Sequence, residues 1–477
     1  WETIRMASEE NSKIFNVFFY SDLKDLDVPF CYQQLSSYGR TDKWNQSLYQ
    51  RIIHYKFKNK FKINLSKVHF SNYNDESLNI FEKNKNKISR LKLLDDIYNI
   101  ICDKLFNKYK IVLIDSYFTL LANIKFNLFH KQLPRSFSSQ FADKKRCISH
   151  NINREDLKIN FNTSCDFESF IKLYIRYDLP TSIIEYFDFY NDFVGNNSLK
   201  PKVIISANSY WYSIPKKYWI AERVSEGVKL ISTDHGGSLP AYREHFEFEE
   251  NISDLRGTRF IPWHSKHIQA PPGKLLYLKK IYNLLSIFLP KNHCSVIGYS
   301  GSGRWAHRAT FYPLSYQSLS VYEMSMNFFS FLDDKILNQL KIRPQPHSGI
   351  NVKKLYVQNL GDEKVSTGNY YNFLFKSKVI VCLYPETTYI EAMSLNIPTI
   401  LLYPKKYFER NKITENIIKD LEKNKMLFND PIMAANHLNE IWSNPNRWWN
   451  SEEVKTVRKK FHELAGNGNN RFWLKKW

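Results

Sequence analysis

One local pattern recurs along the chain and narrows its possible folds more than any other feature. A short, unbroken apolar run ends in a polar turn, and a segment with helical spacing follows or precedes it. "YKIVLIDSYF" holds the run Ile111 to Ile114, "PKVIISANSYW" holds Val203 to Ser206, and "GVKLISTDHGGSLP" holds Lys229 to Thr233. Between the last two, "KKYWIAERVSEGVKL" predicts a helix that stops near Gly227. Strands that are apolar on both faces need cover on both, and alternating helices supply it in a parallel α/β sheet. The pattern resumes later. "CSVIGYSGSGRW" reads as a strand entering a glycine-rich turn, and "SKVIVCLYPETTYIEAMSLNIPTILLYP" as a compact βαβ unit. Two further helices are expected, over Ile88 to Tyr109 on the spacing of Leu91, Leu94, Ile97, Ile101 and Leu105, and from Ser451 to about Leu464.

At 477 residues the chain exceeds one ordinary core. Pro271, Pro272, Gly273 and Pro290 mark a boundary between two α/β units. The expected division is 1–280, 281–450, and 451–477 for a C-terminal helix with a basic aromatic tail. Hydrophobic residues make up 43% of the chain, enough for sizeable cores. No run of about 18 uncharged apolar residues exists, so no membrane-spanning helix is expected. The six cysteines are scattered without a CxxC pair, which argues against a disulfide framework or a zinc knuckle and for a reducing cytoplasm. The net charge of +21 suits nucleic acid, an anionic membrane face or anionic substrates, although Lys/Asn-rich stretches such as "KNKFKIN" also read as plain composition.

Three polar turns at strand ends carry the chemistry, and ligands of open α/β sheets lie at such ends. The first is Asp234-His235-Gly236-Gly237, where glycines let a ligand approach the backbone N–H groups and the acid faces the cleft. An Asx-turn is the plain alternative. The ionisable groups that follow, Glu247, His264 and His267 among them, are denser than a solvated turn needs. The second is "IRPQPHSG", whose prolines stiffen the presentation of Arg343 and His347 for a phosphate or nucleotide; a polyproline connector is its alternative. The third is "YPETTYIEA": Glu386, Thr387 and Thr388 open a helix whose free N–H groups suit phosphate, and Glu391 sits one turn on, within reach of a ribose hydroxyl. The turn "GYSGSGRW", with Ser302 and Arg304, is a weaker anion holder and matches neither a Walker loop nor a dinucleotide fingerprint. Asp25 and Asp27 form a D-x-D without a preceding buried strand and are not read as a metal site.

Together, "ANSYWYSIPKKYWIAERVSEGVKLISTDHGGSLP", "RPQPHS" and "YPETTYIEAMSLNIPTI" resemble the GT-B glycosyltransferases of bacterial surface polysaccharides, nearest the retaining β-Kdo transferases that use CMP-Kdo. The resemblance spans roughly Pro201 to Tyr403. It implies an α/β fold of two Rossmann-like parallel-sheet domains facing a central cleft, the first catalytic and acceptor-binding, the second binding the CMP-sugar. It implies that Asp234 is the nucleophile and that Arg343, His347, Thr387, Thr388 and Glu391 grip the nucleotide, with Ser302, Arg304 and Glu386 beside them. His264, His267 and Glu247 stand as alternatives for the acid/base, and Ser206, Asn208, His235, Gly236 and Gly237 for orienting the sugar. Cationic side chains can replace a metal at a single phosphate, so neither metal nor cofactor is expected.

Another CMP-linked nonulosonic acid (pseudaminic, legionaminic or sialic) would fit the same motifs. A basic nucleic-acid or membrane-binding module would explain the charge but not three chemistry-bearing turns, so no nucleic-acid partner is expected. The acceptor is expected to be a lipid-linked glycan, with the protein cytoplasmic and peripheral at the inner membrane. The tail "RFWLKKW" has the make-up of an interfacial segment, or of an ordinary helix end.

Overall fold

The computed structural model of the chain describes residues 1–9, 15–19, 28–39, 41–65, 98, 109–135, 137, 141, 152–197, 199–235, 247–298, 315–344, 351–385, 387–408, 412–465 and 473–475. Strands β1 (Phe15–Phe19) and β2 (Phe61–Leu65) pair in parallel as a separate ribbon. Strands β3 (Ile111–Ile114), β4 (Val203–Ser206), β5 (Lys229–Thr233), β6 (Leu255–Thr258) and β7 (His267–Gln269) follow one another across a five-stranded sheet, every pair parallel. The second sheet is built from β8 (His293–Ile297), β9 (Leu340–Arg343), β10 (Ser377–Cys382), β11 (Thr399–Leu402) and β12 (Leu427–Phe428) in the order β12-β11-β10-β8-β9, again all parallel. This is the expected α/β architecture of two Rossmann-like parallel sheets, and β3, β4 and β5 occupy the predicted residues. The helix expected over Ile88 to Tyr109 lies outside the described residues except at Tyr98 and Tyr109.

The unbroken apolar runs have a direct cause. On β10 and β11, Val379, Val381, Ile400 and Leu402 pack into one core cluster, while Ile380, Cys382 and Leu401 pack into another on the opposite face. Side chains alternate across a strand, so a strand covered on both faces must be apolar at every position. Helix Ile214–Ser225 covers the first sheet with Trp219 and Ile220, and closes where Gly227 adopts φ +91°. There the Gly227 N–H donates to Val224 O and the Val228 N–H to Arg223 O, a Schellman closure that favours glycine.

Helix Glu452–Ala465 ties the chain's end back across the molecule. Phe461 packs on Tyr389 of the second unit, while the Leu464 and Glu463 carbonyls accept from the Ile261 N–H and the Gln269 side chain of the first. Beyond it, Trp473 is buried, donates its indole N–H to the Tyr277 hydroxyl at 3.2 Å and sits edge-on to Phe118. Trp473 is a core residue, so the interfacial reading does not apply to it.

A buried histidine, His437, and a half-buried one, His462, give the fold a pH dependence. Burial, aided by Lys425 at His437 and by Lys279 and Arg458 at His462, pushes both down to about 4 from an ordinary 6.5. An unfolded chain therefore takes up their protons first as the pH falls. The melting temperature should hold above pH 6.5 and decline from there towards pH 4. His462→Gln should flatten part of that decline in thermal melts followed across pH.

Candidate active site

The first sheet's C-terminal edge gathers the polar groups that the sequence placed at strand ends. Asp234 follows β5 directly, and its N–H donates to Gly257 O of β6. Its carboxylate accepts from the Arg256 guanidinium at 2.9 Å on Oδ1, and from the Thr258 hydroxyl at 3.3 Å and the Arg259 N–H at 2.7 Å on Oδ2. The pair is almost wholly dry, with side-chain exposures of 4% for Asp234 and 0% for Arg256. The register makes this local: Ser232 opposes Arg256, which in turn opposes His267, so all three project from the same face.

Helix Glu247–Ile252 lies against that face and supplies two buried acids. Glu249 Oε1 takes the Trp211 indole N–H at 2.9 Å and bonds His235 Nε2 at 3.1 Å. Burial opposes charge on Glu249, but His235, the Arg256 guanidinium and Trp211 outweigh it and hold the carboxyl below its usual range. Glu250 bonds His267 Nε2 at 2.7 Å. Burial carries His267 below the ordinary histidine value despite Glu250, leaving a neutral ring with its Nε2–H on the carboxylate. The three acid/base candidates are thus placed differently. His267 is fully buried, His264 is half-buried with Nδ1 accepting from the Lys266 N–H, and Glu247 is exposed at the helix start.

Ser206 and Asn208 fall at the end of β4. Ser206 is buried, and its hydroxyl accepts the Ser209 N–H at 3.1 Å, so it starts the short helix Ser209–Tyr212. Asn208 donates to the Tyr117 hydroxyl at 2.9 Å. Beside them Asp115 ends β3, ion-paired to Lys216 at 2.7 Å and accepting from the Ser209 hydroxyl at 2.7 Å. Gly236 and Gly237 lie outside the described residues.

In the second unit, Arg343 closes β9, donates to the Gly368 carbonyl at 2.6 Å and lies over the Tyr370 ring at 5.8 Å. The Tyr370 hydroxyl donates to Glu391 Oε2 and also bonds Thr388. Glu391, on helix Thr387–Leu395, is buried and pairs through Oε1 with Lys274 at 2.6 Å. Burial disfavours the ammonium of Lys274, yet Glu391 more than offsets that and holds it above the ordinary lysine value. Arg343, Thr388 and Glu391 therefore meet around one tyrosine. Thr387 begins the same helix, half-buried. His347, Ser302, Arg304 and Glu386 lie outside the described residues.

Among the described residues, one group, Glu250, His264 and His267, sets three metal-ligand atoms within 4.8 Å of one another. The guanidinium of Arg256 stands beside His267 in register, and Lys266 places its ammonium on the Glu250 and Ser253 carbonyls at 2.7 and 2.8 Å. These charges favour the direct histidine–glutamate bond over a bound cation.

The motif reading did not reach Arg256, Glu249, Glu250, Asp115, Lys216, Lys274 or Tyr370. Asp115 carried a visible signal, since "IVLIDS" ends a strand on an acid just as "KLISTD" does. Arg256 carried none, because "LRGT" reads as an ordinary polar turn.

Two parallel Rossmann-like sheets with polar groups at their carboxyl edges match the architecture expected of the GT-B type. The model of the LIC12162 family transferase matches residues 1–477, and the chain belongs to that family. None of the curated proteins matches it. Solved structures overlap only loosely. The S. aureus MnaA–UDP complex shares 11% identity at a TM-score of 0.37, over 65% of this chain and 84% of that one. The wall teichoic acid polymerase TagF shares 11% at 0.36, over 58% and 71%. The spinosyn forosaminyltransferase SpnP shares 10% at 0.35, over 76% and 96%. Likeness at this level says nothing about activity.

Proposed function

We propose that this transferase is a retaining glycosyltransferase, moving Kdo from CMP-Kdo to a lipid-linked glycan acceptor in O-antigen or capsule assembly. The observation that carries the reading is the setting of Asp234. An ionised carboxylate has about four lone-pair sites, and three fixed donors occupy three of them. One remains, on a side chain whose rotation is blocked, which is the pre-organisation a nucleophile needs.

In the first step an Asp234 oxygen bonds to the anomeric carbon as the bond to the phosphate oxygen breaks, and CMP leaves with the electron pair. In the second the acceptor oxygen bonds to the anomeric carbon from the face that CMP vacated as the bond to Asp234 breaks, its electron pair returning to the carboxylate, and the configuration is restored. The acceptor proton needs a base. His264 is the half-buried candidate, whereas His267 is committed to Glu250. Arg343, with Thr387 and Thr388 at a helix N-terminus, offers positive charge to the departing phosphate, so the step needs no metal. In this reading residues 1–280 carry the acceptor and the nucleophile, residues 281–450 hold the donor, and the protein works at the cytoplasmic face of the inner membrane.

The test is incubation with a panel of CMP-linked sugars (Kdo, pseudaminic, legionaminic and sialic acids), followed by intact-protein mass spectrometry. A Kdo adduct on the Asp234 peptide is the expected result. Turnover of a different CMP-sugar would replace the donor, and turnover without any adduct would remove the double displacement.

A further inference from the structure

Helices Leu120–Phe129 and Leu278–Leu285 begin side by side. The Thr119 hydroxyl donates to Leu276 O at 2.9 Å, and Lys125 and Lys280, one from each helix, lie over the same Tyr277 ring at 4.9 and 5.6 Å. Both helices turn apolar side chains outward. On the first, Leu120, Leu128 and Phe129 are exposed. On the second, Ile281, Leu284, Leu285 and Phe288 recur at the spacing of one helical face, with Leu284 65% and Phe288 78% exposed. That helix already buries Leu278 and Tyr282 on its inner side, so its outward stripe is a second apolar face. Single exposed apolar residues are ordinary, whereas a continuous set marks an interaction surface.

Charge selects the occupant. No Asp or Glu occurs from Ser116 to Ala142 or from Leu255 to Tyr322, while Lys125 and Lys280 flank Tyr277 between the two helices and Lys131 and Lys291 follow them in sequence. A second copy of this face would bring like charges together. We propose that this surface docks on an anionic lipid bilayer, its leucines and phenylalanines entering the acyl boundary and its lysines meeting the headgroups. The first helix starts shortly after Asp115, at the sheet edge where Asn208 bonds Tyr117, so docking presents the site to a lipid-borne acceptor. Only that last link rests on the proposed function.

The test is co-sedimentation of the full chain with vesicles of phosphatidylcholine alone, and with about a third phosphatidylglycerol. Binding to the anionic vesicles should be at least about tenfold stronger and should weaken with salt. The double variant Leu284→Glu/Phe288→Glu should lower it about tenfold or more. Lys280→Gln and Lys291→Gln should each lower it about fivefold. Thermal midpoints should stay unchanged, since all four side chains lie at the surface. In the wild-type chain, vesicles should slow hydrogen exchange in 120–129 and 278–288. Equal binding to both vesicle types, protection confined to other segments, or a dimer that the double variant splits would each overturn the proposal. Vesicle binding by a chain that turns over no CMP-sugar would leave the docking standing and remove the function proposed above.

Discussion

Asp234→Asn is expected to lower sugar transfer roughly a thousandfold or more while CMP still binds, as read by turnover assays and calorimetry. Asparagine keeps the shape of aspartate but has no anionic oxygen to attack with. It also turns one acceptor into a donor, which conflicts with the Arg256 guanidinium or with the Arg259 N–H. The cost to the fold should be about 1–3 kcal/mol, small enough for a well-populated native state. Asp234→Ala is the poorer experiment, because it strands a dry guanidinium and mixes loss of chemistry with loss of fold. Wild-type turnover per folded molecule in the asparagine variant would make Asp234 a strut and end the nucleophile reading.

The largest stability effect is expected at its partner. Arg256→Met should cost about 3–5 kcal/mol in denaturant melts, since it leaves a carboxylate in a dry setting with only a hydroxyl and one N–H. The diagnostic measurement is the double variant. Asp234→Asn/Arg256→Met removes the stranded charge and should recover part of that loss, so the two substitutions should be clearly non-additive. Additive losses would mean that the two groups hold the sheet edge independently. Asp234 and Arg256 thus separate two quantities, activity and stability, that a single substitution would confound.

The pattern of local sequence marked out the strands because strands covered on both faces must be apolar throughout. Lys229 to Thr233 could be read to the residue for that reason. Asp234 was legible as an acid at a strand end, but its fixation was not. Arg256 becomes its partner only through the sheet register of β5 against β6, a relation between residues 22 positions apart. Glu249 and Glu250 are likewise adjacent in sequence, yet they serve His235 and His267 in turn because of where their helix lies. The tail stayed open between an interfacial segment and a helix end because composition alone cannot reveal that Trp473 packs on Phe118 and Tyr277.

Glu391, expected to serve a ligand, already has two masters. Its carboxylate is shared between Tyr370, which lies beneath Arg343, and Lys274, which lies on the segment joining the two sheets. Its side chain is only 1% exposed, so in the proposed function a ribose hydroxyl would reach it by displacing one of them. Donor binding and the Glu391–Lys274 ion pair would then be a single equilibrium, so a donor that displaces Lys274 would free the segment between the sheets in the act of binding.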